Sequence, residues 1–180
     1  MVVVGAVIIG SKAIGVFVLS EQGASSGKYL VLGVGNTLLR DDGVGVHVAK
    51  ALESRTDLSS RIKVIDGGTL GLSLLPEVED AAGLIVVDAA EIGESPGAIR
   101  VFEDAAMDRH LSGKKTTVHE VAVADLLAAA TMTGHAPRER ALVAIQPEST
   151  DWGLELSASV RPAITGAADA VASVVARWSE

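Results

Sequence analysis

The sequence predicts a single α/β domain: an open, mostly parallel twisted sheet with helices on both faces. Three observations carry that expectation. Short runs of Val, Leu and Ile alternate along the chain with longer stretches whose apolar residues recur at helical spacing. The short runs lack the polar alternation of half-exposed strands and read as strands buried on both faces. The chain has 180 residues, 48% of them apolar, which suits one sizeable core.

The elements follow in order. Tyr29 to Val34 is a Leu- and Val-rich run that stops at glycines, as a buried strand does before its turn. After a loop from Gly35 to Gly43, Val44, Val46, Val48, Ala49 and Leu52 fit one helix face. Ser59-Ser60 closes that helix, and Ile62 to Ile65 reads as the second strand of a βαβ unit. Leu70 to Val78 is a second helical pattern, Leu84 to Val87 a third strand, and Ile99 to Phe102 a fourth near an edge. Val118 to Thr131 is helical, Ala141 to Ile145 is the last strand, and Ser157 to Trp178 is a closing amphipathic helix that tolerates Pro162 near its start.

The first segment stands apart. Met1 to Ser20 is strongly apolar, but Lys12 divides it into pieces shorter than the roughly 20 apolar residues that span a bilayer. No basic residue precedes the apolar run, as an export signal would require, and Gln22 to Gly27 has linker composition. Residues 1–27 are therefore expected to be an N-terminal extension outside the core, and residues 28–180 the domain proper; a cleaved export signal is the weaker alternative. The chain is expected to work in the cytoplasm as a monomer.

Composition narrows the chemistry. The net charge is −8 with Lys and Arg scattered, so there is no footprint for nucleic acid, and no membrane partner is expected. Cysteine is absent, which excludes disulfides, a thiol nucleophile and thiolate-held metal.

Several strands run into acidic residues: the first into Asp41-Asp42, the second into Asp66, the third into Asp88, the last into Gln146-Pro147-Glu148. In open α/β sheets ligands bind beyond the carboxyl ends of the strands, so these side chains have one crevice to share. Any single one reads more simply as a loop residue or helix cap. Together they repel one another unless a cation stands among them. His119 opens a helix and is the best nitrogen ligand to complete such a site, whereas His47 on the first helix and His110 and His135 in polar loops are assigned to solvent. Two carboxylates and an imidazole suit zinc, nickel, manganese or iron, and residue type leaves the choice among them open. No Gly-x-Ser-x-Gly elbow occurs, so hydrolysis would have to use water, activated by a cation or a carboxylate base. A rival reading is a dinucleotide-binding loop at Gly33-Val34-Gly35 with Asp66 as ribose acceptor; against it, Leu38 stands where the third glycine belongs and Asp41-Asp42 would face the phosphates.

The stretch Gly33-Val34-Gly35-Asn36-Thr37-Leu38-Leu39-Arg40-Asp41-Asp42-Gly43-Val44-Gly45 resembles the opening signature of the hydrogenase maturation proteases. Asp66-Gly67-Gly68-Thr69, Val86-Val87-Asp88-Ala89, His119 to Leu126, and Gln146-Pro147-Glu148-Ser149 resemble that family's later blocks, in order, over the chain from about Lys28 onward. The resemblance implies an endopeptidase that binds the nickel-loaded large-subunit precursor of a [NiFe] hydrogenase and removes a C-terminal peptide, nickel arriving with the precursor. It places metal contacts on Asp42, Asp88 and His119 and the water-activating role on Asp42 or Asp88, with Asp41 and Asp66 as candidates to support them from behind. The family often carries glutamate at the position of Asp42. A non-cleaving adaptor for the same precursor is the other reading that the resemblance leaves open.

Overall fold

A computed structural model describes residues 3–9, 12–19, 27–58, 60–113 and 118–180. Strands β1 (Val3–Ile9) and β2 (Lys12–Leu19) pair antiparallel in a two-stranded sheet of their own. The second sheet holds β3 (Tyr29–Val34), β4 (Ile62–Gly68), β5 (Gly83–Ala89), β6 (Ile99–Glu103) and β7 (Glu139–Ile145) in the order β4-β3-β5-β7-β6. The first four strands in that order run parallel, and β6 pairs antiparallel with β7 at one edge. Of the expected linker Gln22–Gly27, only Gly27 lies among the described residues.

Period-two alternation divides the core. Val31, Ile85, Val87 and Val143 point to one face, where they pack with α1 (Val44–Glu53) and α5 (Ala163–Trp178). Leu30, Leu32, Leu84, Val86 and Leu142 point to the other, beneath α2 (Leu75–Glu79), α3 (Ala105–Ser112) and α4 (Val118–Met132). Helices therefore lie on both faces, as the βαβ rhythm requires. The chain leaves β3 through α1 to β4 on one side and returns to β5 on the other, so the order reverses between β3 and β5. At such a switch point the loops diverge and leave a crevice.

Four local expectations are corrected. The closing helix begins at Ala163, not Ser157: residues 157–162 form turns, and Pro162, which has no N–H to contribute, sits immediately before the first helical residue. β4 continues past Ile65 to Gly68, with Asp66 paired opposite Gly33. The Leu70–Val78 pattern is a 3₁₀ turn over Gly71–Leu74 followed by short α2, Pro76 lying in the helix's first turn. Helix α3 was not expected; Met107 and Leu111, one turn apart, bury its inner face, and Arg140 of β7 holds Asp108 on its flank. His110 therefore lies in α3, stacked on Phe102, instead of in a solvated loop.

Candidate active site

The loop after β3 folds back tightly on itself. Gly35 has φ +130, and a Cβ there would stand 1.9 Å from the carbonyl oxygen of Asp42, so only glycine lets the two backbones meet. A 3₁₀ turn over Arg40–Gly43 then delivers Asp41 and Asp42 side by side, both buried. Arg40 enters that turn with φ +44, an uncommon conformation for a side chain with a Cβ. It is held there by the bond from its amide to the Gly153 carbonyl, and the Gly153 amide in turn bonds the Leu38 carbonyl.

The adjacent aspartates point to different partners. Asp42 Oδ2 accepts from the Asn36 amide at 2.9 Å and from His119 Nε2 at 3.0 Å. Asp41 turns the other way and accepts from the amides of Glu148, Ser149 and Ser157 at 3.0, 3.1 and 2.7 Å and from the Ser157 hydroxyl at 2.7 Å. Asp41 thus ties the loop after β7 to the loop that carries Asp42.

Asp88 is the penultimate residue of β5, on the parity of Leu84 and Val86, so the pleat aims it toward the α4 side of the sheet, where His119 lies in the first turn of α4. Both are buried, and the negative charge of Asp88 acts on the imidazole. The hydrogen bond to Asp42 raises the His119 pKa above its ordinary 6.5; burial opposes this, and the charges of Asp88 and Asp42 add to the rise. For Asp42, burial pushes the carboxyl up, but the His119 hydrogen bond, the Asn36 amide and the imidazole charge outweigh it and bring the pKa below 3.8.

The structure therefore brings Asp42 and His119 into direct contact and buries Asp88 at the same end of the sheet. Asp66 stays exposed on β4, accepts from the Gly68 amide at 3.1 Å, and faces a polar cleft with Asn36, Thr37 and Lys50. Among the described residues no three His, Asp or Glu side chains stand in a preformed metal cage. In this arrangement His119 Nε2 and Asp42 Oδ2 face each other directly. The donor chemistry nevertheless fits a borderline cation: two buried carboxylates against one imidazole leave a net negative charge even when His119 is protonated. Of the other histidines, His135 is exposed as expected, whereas His47 on α1 is half-buried and burial lowers its pKa.

Gln146 has a role that sequence reading saw only as part of a block. Its buried Oε1 accepts from the amides of Ile92, Gly93 and Glu94 at 2.9, 3.1 and 3.3 Å, and its Nε2 donates to Glu91 at 2.8 Å. One amide side chain thereby shapes the loop that follows Asp88. A polar residue at the end of an otherwise apolar strand was the available signal.

Comparison with known proteins supplies the family. The sequence profile of the hydrogenase maturation proteases matches residues 46–174. The hydrogenase expression/formation protein HupD of Rhizobium leguminosarum bv. viciae is 37% identical over 152 residues, covering 84% of this chain and 75% of that one. The hydrogenase 2 maturation protease of Escherichia coli (strain K12) is 35% identical over 145 residues, covering 80% and 88%. The hydrogenase maturating endopeptidase HybD from E. coli superposes with a TM-score of 0.75 at 31% identity, over 83% of this chain and 93% of that one. A buried Asp–His pair at the switch point of this sheet, with a profile match over most of the domain, places the chain in the hydrogenase maturation protease family.

Proposed function

We propose that this endopeptidase of hydrogenase maturation acts on a [NiFe] large-subunit precursor, reads the nickel already bound there, and releases a C-terminal peptide. The observation that carries the reading is the buried Asp42–His119 pair with the charge of Asp88 beside it, at the crevice where β3 and β5 diverge. A site this negative favours a cation brought to it over a bare peptide.

The chain's own residues do the rest. Asp42 and Asp88 would supply carboxylate oxygens and His119 its Nε2 to open positions on the precursor's metal, and the Nε2 proton would leave as that contact forms. The Asn36 amide fixes one oxygen of Asp42, which leaves Oδ1 to turn toward the incoming group. Asp42 or Asp88 takes the proton from the attacking water. Nickel, when bound, supplies Lewis acidity at the scissile carbonyl or the water. On this reading nickel is part of the substrate, and peptide hydrolysis is of the carboxylate-assisted, metal-dependent type. Cytoplasmic action as a monomer, and residues 1–27 as an extension outside the domain, belong to the same proposal. Among the described residues no helix is long and apolar enough to cross a membrane.

The test is order of events. A precursor loaded with nickel should lose its C-terminal peptide by mass spectrometry, and the same precursor empty or loaded with zinc should not. Equal cutting of loaded and empty precursor would remove nickel reading and leave the peptidase. Binding of loaded precursor without cutting would favour an adaptor.

A further inference from the structure

Beside His119 lies an apolar cavity of about 130 Å³, walled by Leu32, Val34, Gly67, Leu74, Ala122 and Leu126. His119, Ala122, Val123 and Leu126 stand at i, i+3, i+4 and i+7 of α4 and so share one helix face. The cavity therefore opens directly next to the imidazole that pairs with Asp42, and its remaining wall comes from the end of β4 and the turn before α2.

The surroundings of this cavity expose more apolar surface than folding alone explains. From Val121 to Ala130 the only charged residue is Asp125, so α4 is apolar on nearly every side, a composition expected of a helix covered all round. At the turn before α2, Leu70 and Leu72 are exposed at 57% and 56%. They bracket the lining residue Gly71, where a Cβ would stand 3.9 Å from Ala122 Cβ. Exposed leucines thus stand in the turn that forms one wall of a largely apolar cavity, and His119 lines the same cavity. Exposed apolar patches of this kind, continuous with a site, mark where a partner chain is gripped.

We infer that this cavity is a specificity subsite that takes one aliphatic side chain of the substrate, from a residue within two positions of the scissile bond. The inference rests on the peptidase reading above. The occupant is set by the walls: apart from Thr69 and from His119, which is already paired with Asp42, the lining is aliphatic or glycine, and the volume suits a group of valine to leucine or methionine size. Position follows from the shared imidazole, since a residue seated against His119 cannot lie far along the chain from the bond cut beside Asp42 and Asp88. The subsite would align the bond before cleavage and would couple recognition of the tail to recognition of the metal.

The experiment is a double-mutant cycle between enzyme and precursor. Nickel-loaded precursors carrying Ala or Asp, one at a time, at the two residues on either side of the cut are incubated with wild-type enzyme and with Ala122→Phe, which fills the cavity. Wild type should lose roughly tenfold to a hundredfold in kcat/KM when one of those positions is truncated, the discrimination usual for a hydrophobic pocket. Ala122→Phe should show a similar loss on the native precursor and little further loss at that same position. Thermal melting verifies that the variant folds, and Ala122→Val, a smaller intrusion, should give an intermediate loss. If wild type cuts the native precursor but none of the four positions couples to residue 122, the subsite is overturned and the peptidase reading stands. If wild type cuts no precursor, the reading falls and the subsite with it.

Discussion

Ser157 holds both oxygens of the buried Asp41, donating its amide to Oδ1 and its hydroxyl to Oδ2, each at 2.7 Å. Ser149 and Glu148 add their amides to Oδ2. Burial raises the Asp41 pKa, and these four donors outweigh it, so the carboxylate stays charged in the interior. The charge serves as a clamp between the loop that presents Asp42 and the loop after β7. Asp41→Ala removes the acceptor and strands those donors. It should destabilise the fold clearly, since a buried donor left unsatisfied costs about 1–3 kcal/mol. A fall in melting temperature of several degrees is expected. An unchanged melting curve would show that the two loops are held by backbone bonds such as Arg40 to Gly153 alone.

The Asp42–His119 pair predicts how the stability of the free enzyme follows pH. His119 has a raised pKa, so its contribution is complete below 6.5 and is lost as pH rises through the higher folded value. Asp42 has a lowered pKa, so its contribution is complete above 3.8 and is lost as pH falls through the lower folded value. The pair is therefore fully ionic between those two ordinary values. The stability lost in Asp42→Asn should be greatest near pH 5 to 6 and smaller at pH 9, as read from denaturant midpoints. A loss that does not vary across this range would mean that the contact is not an ion pair.

Asp88→Asn should fold and process poorly. The amide keeps the carboxylate's volume at the end of β5, so packing against β7 survives, but the charge that helps raise the His119 pKa is gone. Circular dichroism should match wild type, while cleavage of loaded precursor falls at least tenfold. Near-normal cleavage would take Asp88 out of the reacting site.

Deleting residues 1–27 should leave both folding and processing unchanged. The β1–β2 pair forms a sheet of its own, and the five-stranded sheet starts at Tyr29. A melting temperature lowered by several degrees would show that this segment packs on the domain.

How much was legible in the sequence differs between sheet and loops. The strands were readable because burial on both faces leaves uninterrupted Val, Leu and Ile, and Asp88 was conspicuous as the acid that ends such a run. The Asp42–His119 contact joins residues 77 apart; the strand-end acids called for an imidazole such as His119, and the resemblance to a family singled out Asp42 among them. Helix α3 was missed because only Met107 and Leu111 mark its buried face. Ser157 was read as helix because its neighbours carry helical spacing, while its real partner, Asp41, lies 116 positions earlier. Asp66 differs from Asp88 in a way the sequence did not show: it was expected just past the end of its strand, but that strand continues and leaves it exposed.

Gly45 tests whether the signature glycines serve backbone approach. A Cβ at this position would stand 2.2 Å from the Val87 carbonyl oxygen and 2.4 Å from that of Val34, both backbone atoms of the central strands. Neither can move without shifting the sheet, so Gly45→Ala must lift α1 from β3 and β5 directly beside Asp88. The expected result is a destabilisation of about 3 kcal/mol or more, toward the upper end of what single substitutions cause, with processing lost together with it. Gly134→Ala is the control. Gly134 has φ +79 but nothing within 4 Å of its Cβ position, so the cost there is conformational, about 1 kcal/mol. It lies in the turn after α4, at the opposite end of that helix from His119, and cleavage should be unaffected. A Gly45→Ala enzyme as stable and active as the Gly134→Ala control would show that α1 can ride higher on the sheet without disturbing the aspartates.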